Sequence, residues 1–419
     1  MENTTLLTTN DTGDMDPDTK LNCLQSTILL TIIVTAIVAN LSVIIVILRN
    51  ESLRRNSHNI LILNLAVADL GTSIGSMLVS FIANFKGGWI LSQHMWACSL
   101  NVSVSIVCYF GSFGAIISIA LHRYLLVVQS NRFNVTITYS YVMIAISWAV
   151  AVILTVPSAT GWTTEVVYID FLHHCGQDWS ENCRLSYFAI FFPYVLVIPL
   201  MIFCYTSIAL EIRKSQAKIN TFRQRVTSSI RRLTRRDRNL GIQDNIEIST
   251  SQDVRIEEDG ATPTSQSSVD KRQGLYISDW DEYEKEYKEI CYTLRRAGSM
   301  LEPSRLTTTK KSRFTSKSIV QKRDMKLRSF LGADKLVAIA GALVVMTTFV
   351  CWTPYSIVKV KLCDSTDTSQ QIWIICRFLS YSNSAINPLI YSIFNRGLHT
   401  ALVRGYIQFF KRIKSCCHA

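Results

Sequence analysis

Three adjacent residues, His122, Arg123 and Tyr124, stand at the end of a long apolar segment. An arginine at the edge of a bilayer is costly unless water or a carboxylate accompanies it. Its guanidinium can exchange one carboxylate partner for another, which is the chemistry of a switch. The imidazole beside it titrates near neutral pH and can modulate that exchange. The alternative is a cation that only marks the cytoplasmic side of a membrane segment.

A second ionisable group, Asp69, lies inside another apolar stretch that begins at Leu63. An ionised carboxylate in such surroundings needs a cation or a proton. Polar residues in other apolar segments can supply oxygen atoms, which suit a hard cation such as sodium. The alternative is a protonated Asp69 within a hydrogen-bond network. The candidate partners are Asn40, Ser112, Asn383, Ser384 and Asn387.

Two further apolar segments each contain a proline close to a bulky or polar side chain. Pro354 follows Trp352 by two residues, and Pro388 directly follows Asn387 and precedes Tyr391. A proline removes a backbone hydrogen bond and kinks a helix. A bulky indole next to such a kink can couple the filling of a pocket to a swing of the helix. Taken separately, each motif is also compatible with ordinary packing around a proline.

Seven apolar stretches carry these residues. The hydrophobic fraction of 48% and the mean hydropathy of +0.21 are too high for an ordinary soluble surface. Because about 20 apolar residues suffice to cross a bilayer as a helix, the sequence predicts an all-α membrane protein with a bundle of seven transmembrane helices. The predicted spans are residues 25–48, 58–85, 97–121, 139–159, 186–210, 335–358 and 371–394.

The net charge of +12 is distributed unevenly along the chain. Cations follow the first, fifth and seventh spans, whereas the segments between spans two and three and between spans four and five carry few. This asymmetry places the N-terminus outside and the C-terminus inside a plasma membrane. It also argues against a nucleic-acid partner.

The N-terminal part is predicted to be an external tail, residues 1–24, followed by spans one to five in residues 25–211. The tail is polar and acidic, so no cleavable signal peptide is expected. Asn3 and Asn10 begin glycosylation sequons on the outer side.

The remaining parts are predicted to lie inside the cell or in the membrane. Residues 212–332 are rich in Ser, Thr, Arg and Lys, which predicts a largely disordered third cytoplasmic loop with helical extensions of the flanking spans. Spans six and seven follow in residues 333–394. Residues 395–419 predict an amphipathic helix on the inner membrane surface, where it contacts lipid, and a tail with palmitoylation at Cys416 and Cys417.

These residues together resemble the rhodopsin-like class of G-protein-coupled receptors. The resemblance covers about residues 24–412 apart from the long loop, and Cys98 stands 25 residues before Arg123, as in the family. It implies a receptor that passes an extracellular signal to heterotrimeric G proteins, with arrestin and receptor kinases as further partners. The motifs that carry it are Asn40, Leu65–Asp69, Cys98, His122–Tyr124, Trp148, Tyr205, Cys351–Pro354 and Asn387–Tyr391.

The resemblance also implies a disulfide bond and a cation site. Cys98 pairs in the family with a cysteine of the second external loop, and we expect Cys175 as its partner, with Cys183 as the competitor. Cys108 stands where many relatives have asparagine, which removes one polar partner from the expected site. The residues that match the sodium pocket of the family are Asp69, Ser112, Asn383 and Ser384.

The resemblance assigns Arg123 to the G-protein interface and Trp352, before Pro354, to a toggle beneath the ligand. His122 replaces the usual acid, which removes one restraint on Arg123, although Asp334 at the start of the sixth span could still hold this arginine at rest. The residues expected at the coupling switch are His122, Arg123, Tyr124, Tyr205, Asp334, Asn387, Pro388 and Tyr391.

Two positions argue against familiar ligand classes. Amine receptors place an aspartate 18 residues before the motif arginine, where this chain has Ser105. Opsins place the lysine that binds retinal 7 residues before the seventh-span proline, where this chain has Tyr381. We therefore expect neither simple amine recognition nor covalent retinal.

Lys359 and Arg377 occupy positions that line the outer pocket of the family. They could bind a carboxylate or phosphate, so an acidic ligand or a peptide C-terminus is expected. The alternative is that both cations reach the outer headgroups or pair with Asp364 and Asp367. The aromatic residues expected beneath them are Tyr109, Trp352, Tyr355 and Tyr381.

Three other functional classes predict different features of the sequence. A transporter would show inverted repeats with matching broken helices, and the sequence has neither. A membrane enzyme would need a catalytic motif near a span, and none of HExxH, GxSxG or a paired-acid constellation occurs there, so no enzyme is expected. A constitutively active or regulatory receptor without an agonist remains a variant of the receptor hypothesis.

Overall fold

A computed structural model describes residues 17–86, 95–130, 132–160, 165–177, 193–239, 335–360 and 368–416. The expected glycosylation sites, Asn3 and Asn10, lie outside these ranges, as do Asp334 and Cys417. The chain divides into two compact units. The first comprises Met1–Ile119, Ser140–Ile198 and Ala340–Ala419, and the second comprises Ala120–Tyr139 and Pro199–Ile339.

The described residues are almost entirely helical. The helices are α1 (Pro17–Arg49), α2 (Glu51–Arg54), α3 (Ser57–Thr72), α4 (Val79–Lys86), α5 (Met95–Val127), α6 (Ile137–Ala159), α7 (Ile198–Asn239), α8 (Lys335–Val360), α9 (Gln370–Phe394) and α10 (Arg396–Cys416). A π-helical turn, Ser73–Leu78, joins α3 to α4, and another, Pro193–Val197, precedes α7. Strands β1 (Val166–Ile169) and β2 (His174–Gln177) form an antiparallel hairpin around a 3-10 turn, Asp170–Leu172.

Six helical segments of the described chain are long and apolar enough to cross a membrane. The seventh predicted span, α9, has 25 residues, but its serines, its two asparagines and Arg377 lower its mean hydropathy. Its polar side chains therefore need partners inside the protein. The six segments are Leu21–Arg49, Ser57–Phe85, Trp96–Val127, Ile137–Pro157, Tyr194–Lys218 and Lys335–Val360.

The helix bounds add detail to three predicted segments. The first helix begins at Pro17, before the predicted span 25–48. The α7 helix continues to Asn239, in line with the expected helical extension of the fifth span into residues 212–332, because basic and polar residues there are good helix formers. The α10 helix takes up most of the predicted segment 395–419 and ends at Cys416.

Two asparagines set the helix boundaries on one side of the first unit. Asn56 caps α3 by accepting a hydrogen bond from the backbone N–H of His58 at 3.0 Å. Asn395 caps α10 in the same way through Leu398, at 3.2 Å, and its amide nitrogen donates to Asn59 of α3 at 2.9 Å. The start of α10 is thus fixed to α3.

Helices α5 and α6 approach closely where glycine replaces a side chain. A Cβ atom built on Gly114 would lie 2.9 Å from the Cβ of Ser147 and would overlap its hydroxyl oxygen. The ring of Trp148 packs over Gly111, and its indole nitrogen donates to Asn64 of α3 at 2.7 Å. The predicted Trp148 motif thus ties α6 to both α5 and α3.

The hairpin is attached to α5 by a disulfide bond between Cys98 and Cys175, with Cα atoms 5.5 Å apart. The expected pairing is confirmed. Phe171 and Leu172 in the hairpin turn pack against a cluster around Tyr355 and Trp373 of α8 and α9. The hairpin therefore covers one end of the first unit.

His174, next to the disulfide, is buried beside two cations. Burial, followed by the positive charges of Arg377 and Lys359, holds the pKa of His174 well below its ordinary value of 6.5. Burial also lowers the pKa of His173, against the opposing charge of Asp170. His174 is therefore neutral in the folded protein at neutral pH.

We predict that acid destabilises the folded protein partly through His174. As the pH falls below about 6.5, His174 binds a proton in the unfolded chain but not in the folded chain. Protonation therefore favours the unfolded state, and the free energy of unfolding decreases below that pH. The thermal unfolding temperature, measured from about pH 7.5 to about pH 5, should fall more steeply for the wild type than for His174→Gln. His399→Gln, at an exposed position, is the control. Equal pH slopes for wild type and His174→Gln would contradict the prediction.

Candidate functional site

The carboxylate of Asp69 is fully buried and is held by three side chains from two other helices. The hydroxyl groups of Ser112 on α5 and Ser384 on α9 donate to Oδ1 at 2.9 and 3.3 Å. The amide nitrogen of Asn387 on α9 donates to Oδ2 at 3.0 Å. These bonds compensate part of the cost of burying the carboxylate.

Asn383 differs from the predicted arrangement. Its side-chain oxygen accepts a hydrogen bond from the Thr348 hydroxyl of α8 at 3.0 Å, and its described hydrogen bonds do not include Asp69. Asn387, one turn further along α9, contacts Asp69 and was predicted chiefly as a switch residue. Thr348 thus links α8 to α9 directly beneath Trp352, a contact that sequence reasoning missed.

A cavity of about 10 Å³ lies between the Asp69 cluster and Trp352. Asn383 and the hydroxyl-bearing Thr72, Ser112 and Ser384 line it with Asp69. Its size is about that needed for one water molecule. Because a carboxylate and hydroxyl oxygens converge here, the residues fit a small hard cation such as sodium.

The polar network extends to α1 through Asn40. Its amide nitrogen donates to the backbone oxygens of Ala36 and Ser384, both at 2.9 Å, and its oxygen accepts from the Tyr391 hydroxyl at 3.4 Å. Tyr391 and Asn387 belong to the predicted motif around Pro388, which lies inside α9. The network therefore joins α1, α3, α5, α8 and α9.

Aromatic rings lie above the polar network. The ring centroids of Trp352 and Tyr109 are 4.4 Å apart, and Tyr355 lies 6.3 Å from Trp352. Trp373 continues the series at 6.1 Å from Tyr355 and contacts Phe171 of the hairpin turn at 6.3 Å. Pro354 lies two residues after Trp352 in α8, so these contacts meet at the predicted kink.

Two cations lie over this aromatic layer. The guanidinium carbon of Arg377 lies 5.0 Å from the Tyr355 ring centroid and 4.6 Å from that of Tyr381. The Lys359 ammonium lies 5.2 Å from the Tyr355 centroid. Tyr381 also shares a hydrogen bond of 3.1 Å with Ser76 in the π-helical turn. The structure thus brings together Lys359, Arg377, Tyr355 and Tyr381, as predicted.

Ser105 was also predicted to line the pocket, but its described hydrogen bond does not involve Lys359 or Arg377. Its hydroxyl donates to the backbone oxygen of Asn101, one turn earlier in the same helix, at 2.8 Å. Amine receptors carry an aspartate at this position, whereas this chain has a serine whose hydroxyl is already hydrogen-bonded to its own helix. Asp364 and Asp367, the alternative partners of the cations, lie outside the described residues.

The second unit contains the predicted coupling motif. His122 and Arg123 are both buried near the end of α5. Tyr124 packs against Phe203 with ring centroids 5.4 Å apart, and Tyr205 joins an apolar cluster of Val127, Ile208 and Ile212. The motif therefore lies where α5 and α7 pack together.

Similarity to known proteins agrees with this arrangement. Residues 39–391 match the family described as 7 transmembrane receptor (rhodopsin family). The octopamine receptor beta-2R of Chilo suppressalis is 25% identical over 401 residues, which cover 94% of this chain and 82% of that protein. The 5-hydroxytryptamine receptor 1A of Xenopus laevis is 25% identical over 391 residues, which cover 91% of this chain and 88% of that protein.

A solved structure shares the fold. The crystal structure of squid rhodopsin aligns with a TM-score of 0.62 and 15% sequence identity over 96% of this chain and 89% of that chain. These matches favour a membrane receptor over a transporter, and the family consists of receptors rather than enzymes. The chain belongs to the rhodopsin family of seven-transmembrane receptors and has the fold and function of a G-protein-coupled receptor.

Proposed function

We propose that this receptor responds to an acidic ligand, such as a peptide C-terminus or a small carboxylate, at the plasma membrane with its N-terminus outside. The ligand binds above Trp352, and the signal passes through α8 and α9 to a heterotrimeric G protein. Arrestin and receptor kinases then act on the active receptor. Glycosylation of Asn3 and Asn10 and palmitoylation of Cys416 and Cys417 belong to the same proposal.

The stacked guanidinium of Arg377 is the observation that carries the proposal. A guanidinium on aromatic rings keeps its charge, and its edge presents several N–H donors in a fork that matches a carboxylate. Lys359 shares the Tyr355 ring and adds a second positive charge. In surroundings of low dielectric constant, two cations attract an anion much more strongly than they would in water.

The relatives named for octopamine and 5-hydroxytryptamine raise the competing class, a protonated amine. The chain shares only 25% identity with them. An amine would meet two cations at Lys359 and Arg377, and Ser105 offers it a hydroxyl in place of a carboxylate. Electrostatics therefore support an anionic ligand.

Functional screening with a G-protein sensor tests the ligand class. We expect carboxylate or C-terminal peptide agonists to activate the wild type and amine agonists to have no effect. Arg377→Gln and Lys359→Gln should each raise the half-maximal concentration at least about tenfold, as expected for a charge-assisted hydrogen bond. Lys411→Gln, an exposed change on α10, is the control. Activation by octopamine or 5-hydroxytryptamine would contradict the proposal, and ligand-independent signalling without any agonist would favour the regulatory alternative.

We expect Arg123→Ala to abolish most G-protein coupling in a receptor that reaches the cell surface in normal amount. The reason is the buried guanidinium beside Tyr124 and Tyr205 at the predicted G-protein interface. His122→Asp should lower ligand-free signalling, because a carboxylate next to Arg123 restrains the guanidinium. Sensor output normalised to surface expression measures both effects. Unchanged coupling in Arg123→Ala would refute the role of this residue.

We also propose that Asp69 favours sodium binding in the resting receptor. A bound sodium ion would supply a positive charge that stabilises the ionised carboxylate. The hydroxyl groups of Ser112 and Ser384 supply oxygens, while Thr348 holds Asn383 at the edge of the cavity. Because Cys108 replaces the usual asparagine, binding is expected to be weak.

Replacing choline with sodium at constant ionic strength tests this proposal. In the wild type, sodium should lower basal signalling and raise the unfolding temperature, with a coupling of about 1–3 kcal/mol. Asp69→Asn should lose both responses, because the neutral amide no longer attracts a cation. Identical responses of wild type and Asp69→Asn would show that Asp69 is a structural hydrogen-bonding residue.

A further inference from the structure

A second cavity, of about 20 Å³, lies beside Arg377 and away from Trp352. Residues from α1, α4, α9 and the hairpin turn line it. Its polar lining includes Ser80 and Asn84 of α4, His173 of the turn and Arg377 of α9, and its apolar lining includes Phe171 and Phe378. The cavity therefore places a cationic group in a wall that combines polar side chains with apolar ones.

Three polar atoms of this lining lack a hydrogen-bond partner within the described part of the chain. They are the Ser80 hydroxyl oxygen, Nδ1 of His173 and Nε of Arg377. The Ser80 side chain is only 3% exposed, so bulk water does not readily satisfy it. Buried polar groups are normally paired, and a cluster without partners indicates a missing polar occupant.

The Arg377 guanidinium determines the charge of that occupant. Its stacking on Tyr355 and Tyr381 covers the face of the group, so hydrogen bonds must come from its edge. The guanidinium also hydrogen-bonds to Tyr355 and Tyr381, and its Nη2 makes a long contact of 3.5 Å with Ser76, so Nε is the edge donor left for the occupant within the described residues. An edge with N–H donors, beside a hydroxyl and an imidazole, matches the two oxygens of a carboxylate.

We propose that this cavity is the subsite for the carboxylate group of the ligand. The inference rests on the proposed acidic ligand and adds where its charge is held: between α1, α4 and α9, to one side of Trp352. A volume of about 20 Å³ is the space of one or two water molecules, so it accepts the charged group and not a whole ligand. The apolar part of the lining, which includes Phe171 and Phe378, lowers the local dielectric constant and so strengthens the ion pair with Arg377.

A matched series of small molecules tests the subsite on the purified full-length receptor. The probes are 3-phenylpropionate, 3-phenylpropylamine and 3-phenylpropan-1-ol, which share a tail and differ in the polar group. Saturation-transfer NMR titrations should show binding of the carboxylate alone. Ser80→Ala and Arg377→Gln should weaken that binding about tenfold or more. Ser103→Ala is the matched control, because its hydroxyl bonds only to the backbone of its own helix, at 2.7 Å.

A labelling experiment reads the site directly. A cysteine introduced by Ser80→Cys should react with a small methanethiosulfonate reagent, and 3-phenylpropionate should slow the reaction while the amine and the alcohol do not. A cysteine introduced by Ser103→Cys should react at the same rate with and without 3-phenylpropionate.

The outcomes separate the subsite from the proposed function. Carboxylate binding that depends on Lys359 but not on Ser80, without protection at position 80, would overturn the subsite and leave the acidic ligand intact. Binding of the amine but not of the carboxylate would overturn both. Failure of the carboxylate to bind the wild type would also overturn the subsite, whereas the cellular screen would still decide the ligand class.

Discussion

The buried carboxylate of Asp69 is the constraint on which the first unit depends. A fully buried carboxylate is tolerated only with hydrogen-bond donors or a cation close by, and here α5 and α9 supply three donors. This requirement explains why α9 is the most polar of the predicted spans. Ser384 and Asn387 donate to Asp69, and the backbone oxygen of Ser384 connects α9 to α1 through Asn40. If α9 carried only apolar side chains suited to lipid, it could not form this network.

The sequence predicted the need of Asp69 for partners better than it predicted which partners meet it. Asn383 and Asn387 are four residues apart and share one helix face, so periodicity cannot distinguish them. The distinction depends on Thr348, which engages Asn383 from another helix and leaves Asn387 to contact Asp69. A contact between α8 and α9 is a tertiary fact that local sequence does not contain.

The π-helical turn at Ser73–Leu78 explains why the second cavity was not predicted. A wider turn changes the phase of all later side chains relative to an α-helix of 3.6 residues per turn. Ser76 therefore reaches Tyr381, and Ser80 and Asn84 face the cavity. The cations were easier to predict, because Lys359 and Arg377 stand at positions that resemble the outer pocket of the family. The contacts of Lys359 with Tyr355 and of Arg377 with Tyr381 follow from their spacing, because residues four apart lie on the same face of a helix.

The length of α7 has a mechanical consequence. Its 42 residues extend about 63 Å, roughly twice the hydrocarbon thickness of a bilayer. The apolar cluster of Ile208 and Ile212 with Val127 lies nearer the start of the helix, about 15–20 Å from Ile198 and about 40 Å from the far end at Asn239. If the helix pivots there, a rotation of roughly ten degrees carries its tip by about 7 Å. Such a pivot would convert a small tilt at the apolar cluster into a larger displacement at the far end of the helix.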